Sequence, residues 1–360
     1  MAAGAPDGRA SLPRYETQYY VIHTDADAPI VREAQARLTA MAREYARRTA
    51  RFGVLKGKLP FYLFTNRDDY RAAGGPDGSA GMFTGSFLAA VVSPDAPQKN
   101  WRTVQHEAFH QYAQIVISRK LPVWVDEGMA EYFGMGIWTG DELVVGAVPS
   151  WRAERVQTAI RQGQQMPLAK ILALGRDEWN ARCDLRDYDH VWSMMHFLIH
   201  ADDGRYVQAT EEFIGDIAAG QPWRQAFDRR FAGDVEGFEQ RYRQWWLAQD
   251  PQAGEQVGRR AVLATLSSFL ARASASGQSF TTAAAFFEAA AAGQLKLPPD
   301  QWLPPALLAE TLGQARQMQD WSLEANPRPA LTLKTPGKPT LTATFELRGG
   351  KVVAVNVRTE

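Results

Sequence analysis

The segment 106–110 reads His-Glu-Ala-Phe-His, and it constrains the chain more than any other feature. On a helix, residues four apart share a side, so His106 and His110 can present both imidazoles to one ion. The neighbouring residues agree with a helix. Trp101, Val104, Ala108, Tyr112 and Ile115 recur at intervals of three and four, which predicts one core-facing side of a helix over 100–118, with the histidines on roughly the opposite side. Sixteen residues separate His110 from Glu127, which lies inside the run Leu-Pro-Val-Trp-Val-Asp-Glu-Gly-Met-Ala-Glu-Tyr at 121–132. Pro122 suits a helix start, which predicts a second helix running to about Phe133. Gly128 and Ala130 are small, and are expected to let this helix approach the first closely. Glu131, one turn beyond Glu127, is placed to accept the free ring N–H of a ligating histidine. The reverse assignment, with Glu131 as ligand and Glu127 behind it, satisfies the same spacing.

Composition narrows the donor set. The chain has 360 residues with 40 Lys and Arg against 40 Asp and Glu, so no global field draws it to nucleic acid or to an anionic membrane. Its only cysteine, Cys183, excludes an intramolecular disulfide and a cysteine-rich zinc site, which leaves histidines and carboxylates to hold a metal. No run of about eighteen apolar residues occurs, so no integral membrane segment is expected. Residues 1–14 read as a disordered or trimmed terminus without the basic and apolar regions of an export signal.

The organisation predicted is α+β. Residues 15–24 and 59–65 read as strands, with a helix over 29–50 carrying Val31, Leu38, Met41 and Tyr45 along one stripe. The polar run 66–69 closes the second strand, and 74–78 is a loop. Two short strands are expected at 81–84 and 87–92, with Pro94 and Pro97 stopping them before the histidine helix. A hairpin is predicted at 143–148, and the chain from 150 to about 249 reads as helix after helix. Composition shifts near 250–256. Beyond it come an Ala-rich helix over 281–293, another helix, and strands at 331–334, 340–347 and 352–357, the last two joined by Gly349-Gly350. Two domains are therefore expected, 15–250 and 256–360.

Together these motifs resemble a family. His-Glu-x-x-His followed by Trp124-x-x-Glu127-Gly128-x-Ala130-Glu131-Tyr132 resembles the gluzincins, metallopeptidases of the thermolysin and aminopeptidase N type. It is closest to an uncharacterised bacterial group of peptidase MA-like proteins, in which a later helix resembles Tyr188-Asp189-His190-Val191-Trp192-Ser193-Met194-Met195-His196-Phe197-Leu198. The interval to Glu127 is shorter than in thermolysin, and a shorter turn between the helices would absorb it. The resemblance implies a zincin-like domain with a small N-terminal mixed sheet, an active-site helix and a mostly helical second half, followed by a small C-terminal α/β module. It implies one Zn2+ ion on His106, His110 and Glu127, a peptide or protein substrate, Glu107 as general base, and Tyr188 as donor to the oxyanion. A tyrosine packed against Trp192 is the plain alternative for Tyr188. Relatives of this kind are often exported, which implies an extracytoplasmic location, with the cytoplasm as the alternative.

Three protein ligands that leave one coordination place open for a water, whose pKa then falls towards neutrality, suit metal-assisted hydrolysis, and Glu107, beside a ligand on the same helix, can take that water's proton. A non-catalytic zinc-containing module binding a protein or cell-wall partner is the second reading, and a non-peptidase hydrolase the third. Gly81, Met82 and Phe83 form a short strand before the histidine helix, where an extended peptide could add to a sheet edge. His190, His196 and His200 are expected to be core histidines rather than a second site, because His196 and His200 flank apolar residues and no carboxylate. Trp223, Trp245 and Trp246 are expected to pack helices.

Overall fold

The computed structural model describes residues 12–92, 97–251, 254–318, 320–325 and 329–360. Pro94, expected to stop a strand, lies outside them. In chain order the elements begin with β1 (Arg14–Glu16), β2 (Tyr20–His23), α1 (Ala28–Thr49), β3 (Leu59–Phe64), α2 (Arg67–Ala72), β4 (Gly81–Phe83) and β5 (Leu88–Val91). Then come α3 (Pro97–Val116), α4 (Val123–Gly134), β6 (Ile137–Trp138), β7 (Leu143–Val144), α5 (Ser150–Arg161), α6 (Leu168–Ala173), α7 (Arg176–Arg182) and α8 (Leu185–His200). The chain continues through α9 (Val207–Ala218), α10 (Trp223–Phe231), α11 (Val235–Ala248), α12 (Glu255–Ala275), α13 (Ala283–Ala291) and α14 (Pro305–Ala315). It closes with β8 (Trp321–Glu324), β9 (Ala330–Thr335), β10 (Lys338–Arg348) and β11 (Lys351–Thr359). No helix among the described residues is long and apolar enough to cross a membrane.

The fold is α+β, and by contact it divides into two compact units. One comprises Met1–Val31, Met41–Gly136 and Val145–Glu255, the other Arg32–Ala40, Ile137–Val144 and Gln256–Glu360. The first holds a mixed five-stranded sheet in the order β1-β2-β3-β5-β4, in which β2, β3 and β5 run parallel and the two outer strands antiparallel. The second holds an antiparallel four-stranded sheet in the order β11-β10-β9-β8, with β10 and β11 joined through Gly349 and Gly350 at positive φ. β8 is a strand the sequence did not announce.

Local chemistry explains where the elements differ from expectation. The strand expected over 15–24 is two strands, because the Thr17 hydroxyl accepts from the N–H groups of Tyr19 at 3.1 Å and Tyr20 at 2.8 Å and turns the chain. The polar run 66–69 opens α2 rather than ending β3: the Asn66 side chain accepts from Asp69 N–H at 2.8 Å, an N-cap. Helix α8 starts earlier than its apolar stripe suggests, since Asp184 and Asp187 form a capping box. Helix α12 is buried on nearly every side, so it shows no stripe to read.

The site-bearing helices α3 and α4 are held against α1 by aromatics. Tyr45 packs edge-on against Phe109 at 5.5 Å and Phe133 at 4.8 Å between ring centroids, and Phe109 stacks on Phe133 at 4.7 Å. The buried Gln105 amide, one residue before His106, donates towards the last carbonyls of α4, reaching Gly134 at 3.2 Å and Gly136 at 3.0 Å. That bond fixes the register of α3 on α4 and satisfies a helix end. Trp101, Val104, Ala108 and Tyr112 are buried as the periodicity requires, but Ile115 is 52% exposed. Ala113 and Val116 take the inward places in that last turn.

The expected role of Gly128 needs correction. A Cβ there would meet the Val191 carbonyl oxygen at 2.7 Å and Met195 Cγ at 2.8 Å, so Gly128 admits α8, not α3. The close neighbour of α3 is Gly134, whose added Cβ would lie 3.5 Å from His106 Cβ.

Candidate metal centre

Helix α3 carries His106 and His110 on adjacent turns, and their Nε2 atoms stand 3.1 Å apart. The connection 117–122 is short, and it brings α4 back so that Glu127 Oε2 lies 3.4 Å from His106 Nε2 and 3.6 Å from His110 Nε2. These three side chains form the group that can hold a metal ion among the described residues. Ligands about 2.0–2.1 Å from a tetrahedral centre are separated by roughly 3.3–3.4 Å, so the three contacts are close to the spacing of three donors around one ion.

The donor chemistry leads to the same conclusion. His106 Nδ1 lies 3.1 Å from Glu131 Oε1, and His110 Nδ1 lies 2.9 Å from Asp126 Oδ1. A carboxylate only accepts, so each Nδ1 carries a proton, and in the neutral ring each Nε2 keeps a lone pair. Two imidazole nitrogens and a carboxylate oxygen therefore converge. Positive charge among them, whether protons on the rings or a metal ion in their place, is what that convergence favours.

Protons feel the same field. Burial works against a charged His106, but hydrogen bonds to Glu127 and Glu131 outweigh it and lift the ring to about 9. For His110 burial is again outweighed, here by the charge and hydrogen bond of Asp126 and by Glu127, and the ring stands well above its ordinary value. Burial likewise opposes the charged form of Glu127, yet the two histidines hold its carboxyl well below the usual carboxylate range. In Glu131 burial loses to His106 and Arg152, which bring the carboxyl down to about 2.

A layer of charge stands behind these groups. Arg152, buried in α5, donates to Glu131 at 2.6 Å and to Asp189 at 2.8 Å, lies over the Trp192 ring at 4.3 Å, and is joined at Asp189 by Arg155. On the other side, Arg176 of α7 donates to both Asp126 and Glu127. The spacing of 127 and 131 made Glu131 legible as a supporting acid. Asp126, Arg152 and Arg176 were missed. Asp126 had a signal, since consecutive acids on one helix can face two histidines on another, whereas Arg152 and Arg176 are distant in sequence and have none.

Glu107 feels the charge of both histidines and of Glu127. Its Oε2 accepts from Phe83 N–H at 2.9 Å, and burial pushes its carboxyl up. Strand β4 lies at the edge of its sheet, paired only with β5 among the described residues, and Gly81 is closely surrounded: an added Cβ would lie 3.2 Å from Thr103 Cγ2 and 3.7 Å from Glu107 Cγ. Gly81 N–H and C=O both contact the Ser79 hydroxyl, at 3.2 Å and 2.5 Å, while Met82 and Phe83 are half-buried. Tyr188 is half-buried beside the site, its ring centroid 6.5 Å from that of His106. It packs not on Trp192 but edge-on against Trp179 at 5.1 Å, whose indole N–H donates to its hydroxyl at 3.2 Å.

Residues 100–217 match the family model described as Protein of unknown function (DUF1570). The matched segment is about a third of the chain and spans α3 to α9, so it contains both histidines, Glu107, Asp126, Glu127, Glu131, Arg152, Arg176 and Tyr188, but not β4 and, of the second unit, only Ile137–Val144. No curated protein matches the chain.

Of the remaining histidines, His23 closes β2 and the other three lie on α8. His190 and His196 are buried, and burial holds them down at about 3, with His200 at about 4. Nδ1 of His190 and of His196 has no hydrogen-bond partner among the described residues, so the rings are core residues but not fully satisfied ones. Trp246 is buried with its N–H on the Ser193 carbonyl at 3.0 Å, and Trp223 and Trp245 are half-buried.

Proposed function

We propose that this chain is a zinc-dependent hydrolase of peptide bonds, of gluzincin type. The observation that carries the reading is the convergence of His106 Nε2, His110 Nε2 and Glu127 Oε2 at tetrahedral spacing, each imidazole backed by its own carboxylate. Those three atoms would hold the ion, and three protein donors are the number that leaves a coordination place open. Zinc there would supply a Lewis acid for a carbonyl oxygen and lower the pKa of a water in the open place.

The chain's own residues account for the proton traffic. One oxygen of Glu107 is held by Phe83 N–H; the other is free, among the described residues, to take a proton from the attacking water and return it to the leaving amine. Burial keeps that carboxyl nearer neutrality than an exposed one, which suits a group that must accept and release a proton. The Tyr188 hydroxyl accepts from Trp179, so its own proton is available to an oxyanion. The edge strand of Gly81, Met82 and Phe83, tied to the base through Phe83, gives an extended substrate a place to lie, in exchange for the Ser79 contact to Gly81.

The test is zinc-dependent cleavage of a peptide library by the wild-type chain and by Glu107→Gln. The reading expects cleavage by the first, abolished by chelator and restored by zinc, and none by the second at equal zinc content. Equal turnover in the two would remove Glu107 as the base, and no cleavage by either would remove the peptidase reading.

A further inference from the structure

We infer that Arg176, on the short helix α7, is the residue that makes Glu127 a one-oxygen ligand; the inference rests on the metal-centre reading above. The guanidinium divides its two arms between adjacent acids, Nη1 on Glu127 Oε1 and Nη2 on Asp126 Oδ2. In each acid the oxygen left over is the one facing an imidazole: Glu127 Oε2 at 3.4 and 3.6 Å from the two Nε2 atoms, and Asp126 Oδ1 at 2.9 Å from His110 Nδ1. A planar fork with fixed arms therefore sets which oxygen of the ligand points at the ion and which oxygen orients His110. A carboxylate free of such a clamp can rotate, or chelate through both oxygens.

The arginine is held for this work although its side chain is 43% exposed. Trp179, three residues on and so on the same side of α7, is buried at 1% exposure and bonded to Tyr188, which pins the helix beside the site. An ordinary exposed ion pair contributes little to anything and would leave metal affinity untouched. Arg176 is thus a positioning residue, acting on the metal through Glu127 and Asp126 and touching neither ion nor substrate.

The experiment measures zinc affinity by chelator competition, and the visible absorption of the Co(II)-loaded protein, for the wild type, Arg176→Ala, Arg176→Lys and Glu127→Ala. Arg176→Ala should bind zinc about 10- to 100-fold more weakly and shift the cobalt spectrum, as loss of a residue supporting a ligand does. Arg176→Lys, able to hold one acid but not both, should recover part of the affinity. Because the side chain is exposed both variants should fold, which circular dichroism checks. Wild-type affinity with an unaltered cobalt spectrum in Arg176→Ala, while Glu127→Ala loses the ion, overturns the inference alone. Tighter binding in Arg176→Ala also overturns it, by showing that the arginine merely competes with the ion for Glu127. Wild-type binding in Glu127→Ala removes the metal-centre reading, and this inference with it.

Discussion

Two helices of the first unit each carry histidines four residues apart, and they have opposite chemistry. In α3 the rings of His106 and His110 lie 4.8 Å apart between centroids; in α8 those of His196 and His200 lie 4.3 Å apart. Behind the first pair stand Glu131 and Asp126, with Glu127 in front, and the rings are drawn towards protonation. Around the second stand Trp192, Trp246 and the hydroxyl of Tyr132, the last 2.9 Å from His200 Nε2, and among the described residues no carboxylate bonds either ring. Burial then governs and the rings stay neutral. Spacing alone makes two imidazoles neighbours. The carboxylates that select a tautomer and share the charge turn neighbours into a chelating pair.

The largest effect should come from breaking the chemistry of the first pair while leaving its metal. Glu107→Gln should lower turnover by about 10²- to 10⁴-fold with one zinc retained, read from peptide cleavage beside metal analysis. Next, removing the acids should move the α3 pair towards the character of the α8 pair. Asp126→Asn or Glu131→Gln should each weaken zinc by about 10- to 100-fold, whereas His196→Phe should leave affinity at the wild-type value, all measured by chelator competition. An equal loss in the α8 variant would mean that the two pairs are not distinct.

The comparison has a pH form. A His pKa raised to about 9 means that protons occupy His106 below that value and compete with the ion. Zinc binding at neutral pH should therefore release at least one proton, and affinity should climb by about tenfold per pH unit for each proton released, levelling above about pH 9. Calorimetry in buffers of different ionisation enthalpy reads this directly. The α8 histidines, held at about 3 and about 4, have no proton to give in that range. The smallest effect is steric: Gly128→Ala places a Cβ 2.7 Å from the Val191 carbonyl, and should cost about 1–3 kcal/mol in urea unfolding by forcing α4 from α8.

What could be read from the sequence follows a physical boundary. The meeting of His106, His110 and Glu127, the place of Glu131 beside His106 and the core position of His190 and His196 were legible because helical periodicity puts them in register with their neighbours. The α+β class was legible from alternation and stripes. Glycine-mediated approach was read at the right residue but against the wrong helix, since a small residue announces closeness without naming its partner. Helix α12 and the arginines at 152 and 176 were not legible. A helix buried all round has no stripe, and an ion pair between residues 49 apart, such as Glu127 and Arg176, leaves no local pattern.

The most direct test of the central claim is the zinc stoichiometry of the purified wild-type chain, compared with His110→Ala, by elemental analysis after dialysis against trace metal. One ion per wild-type chain and none in the variant is the expected result. A wild type that holds no zinc, or a His110→Ala protein that holds as much, would contradict it.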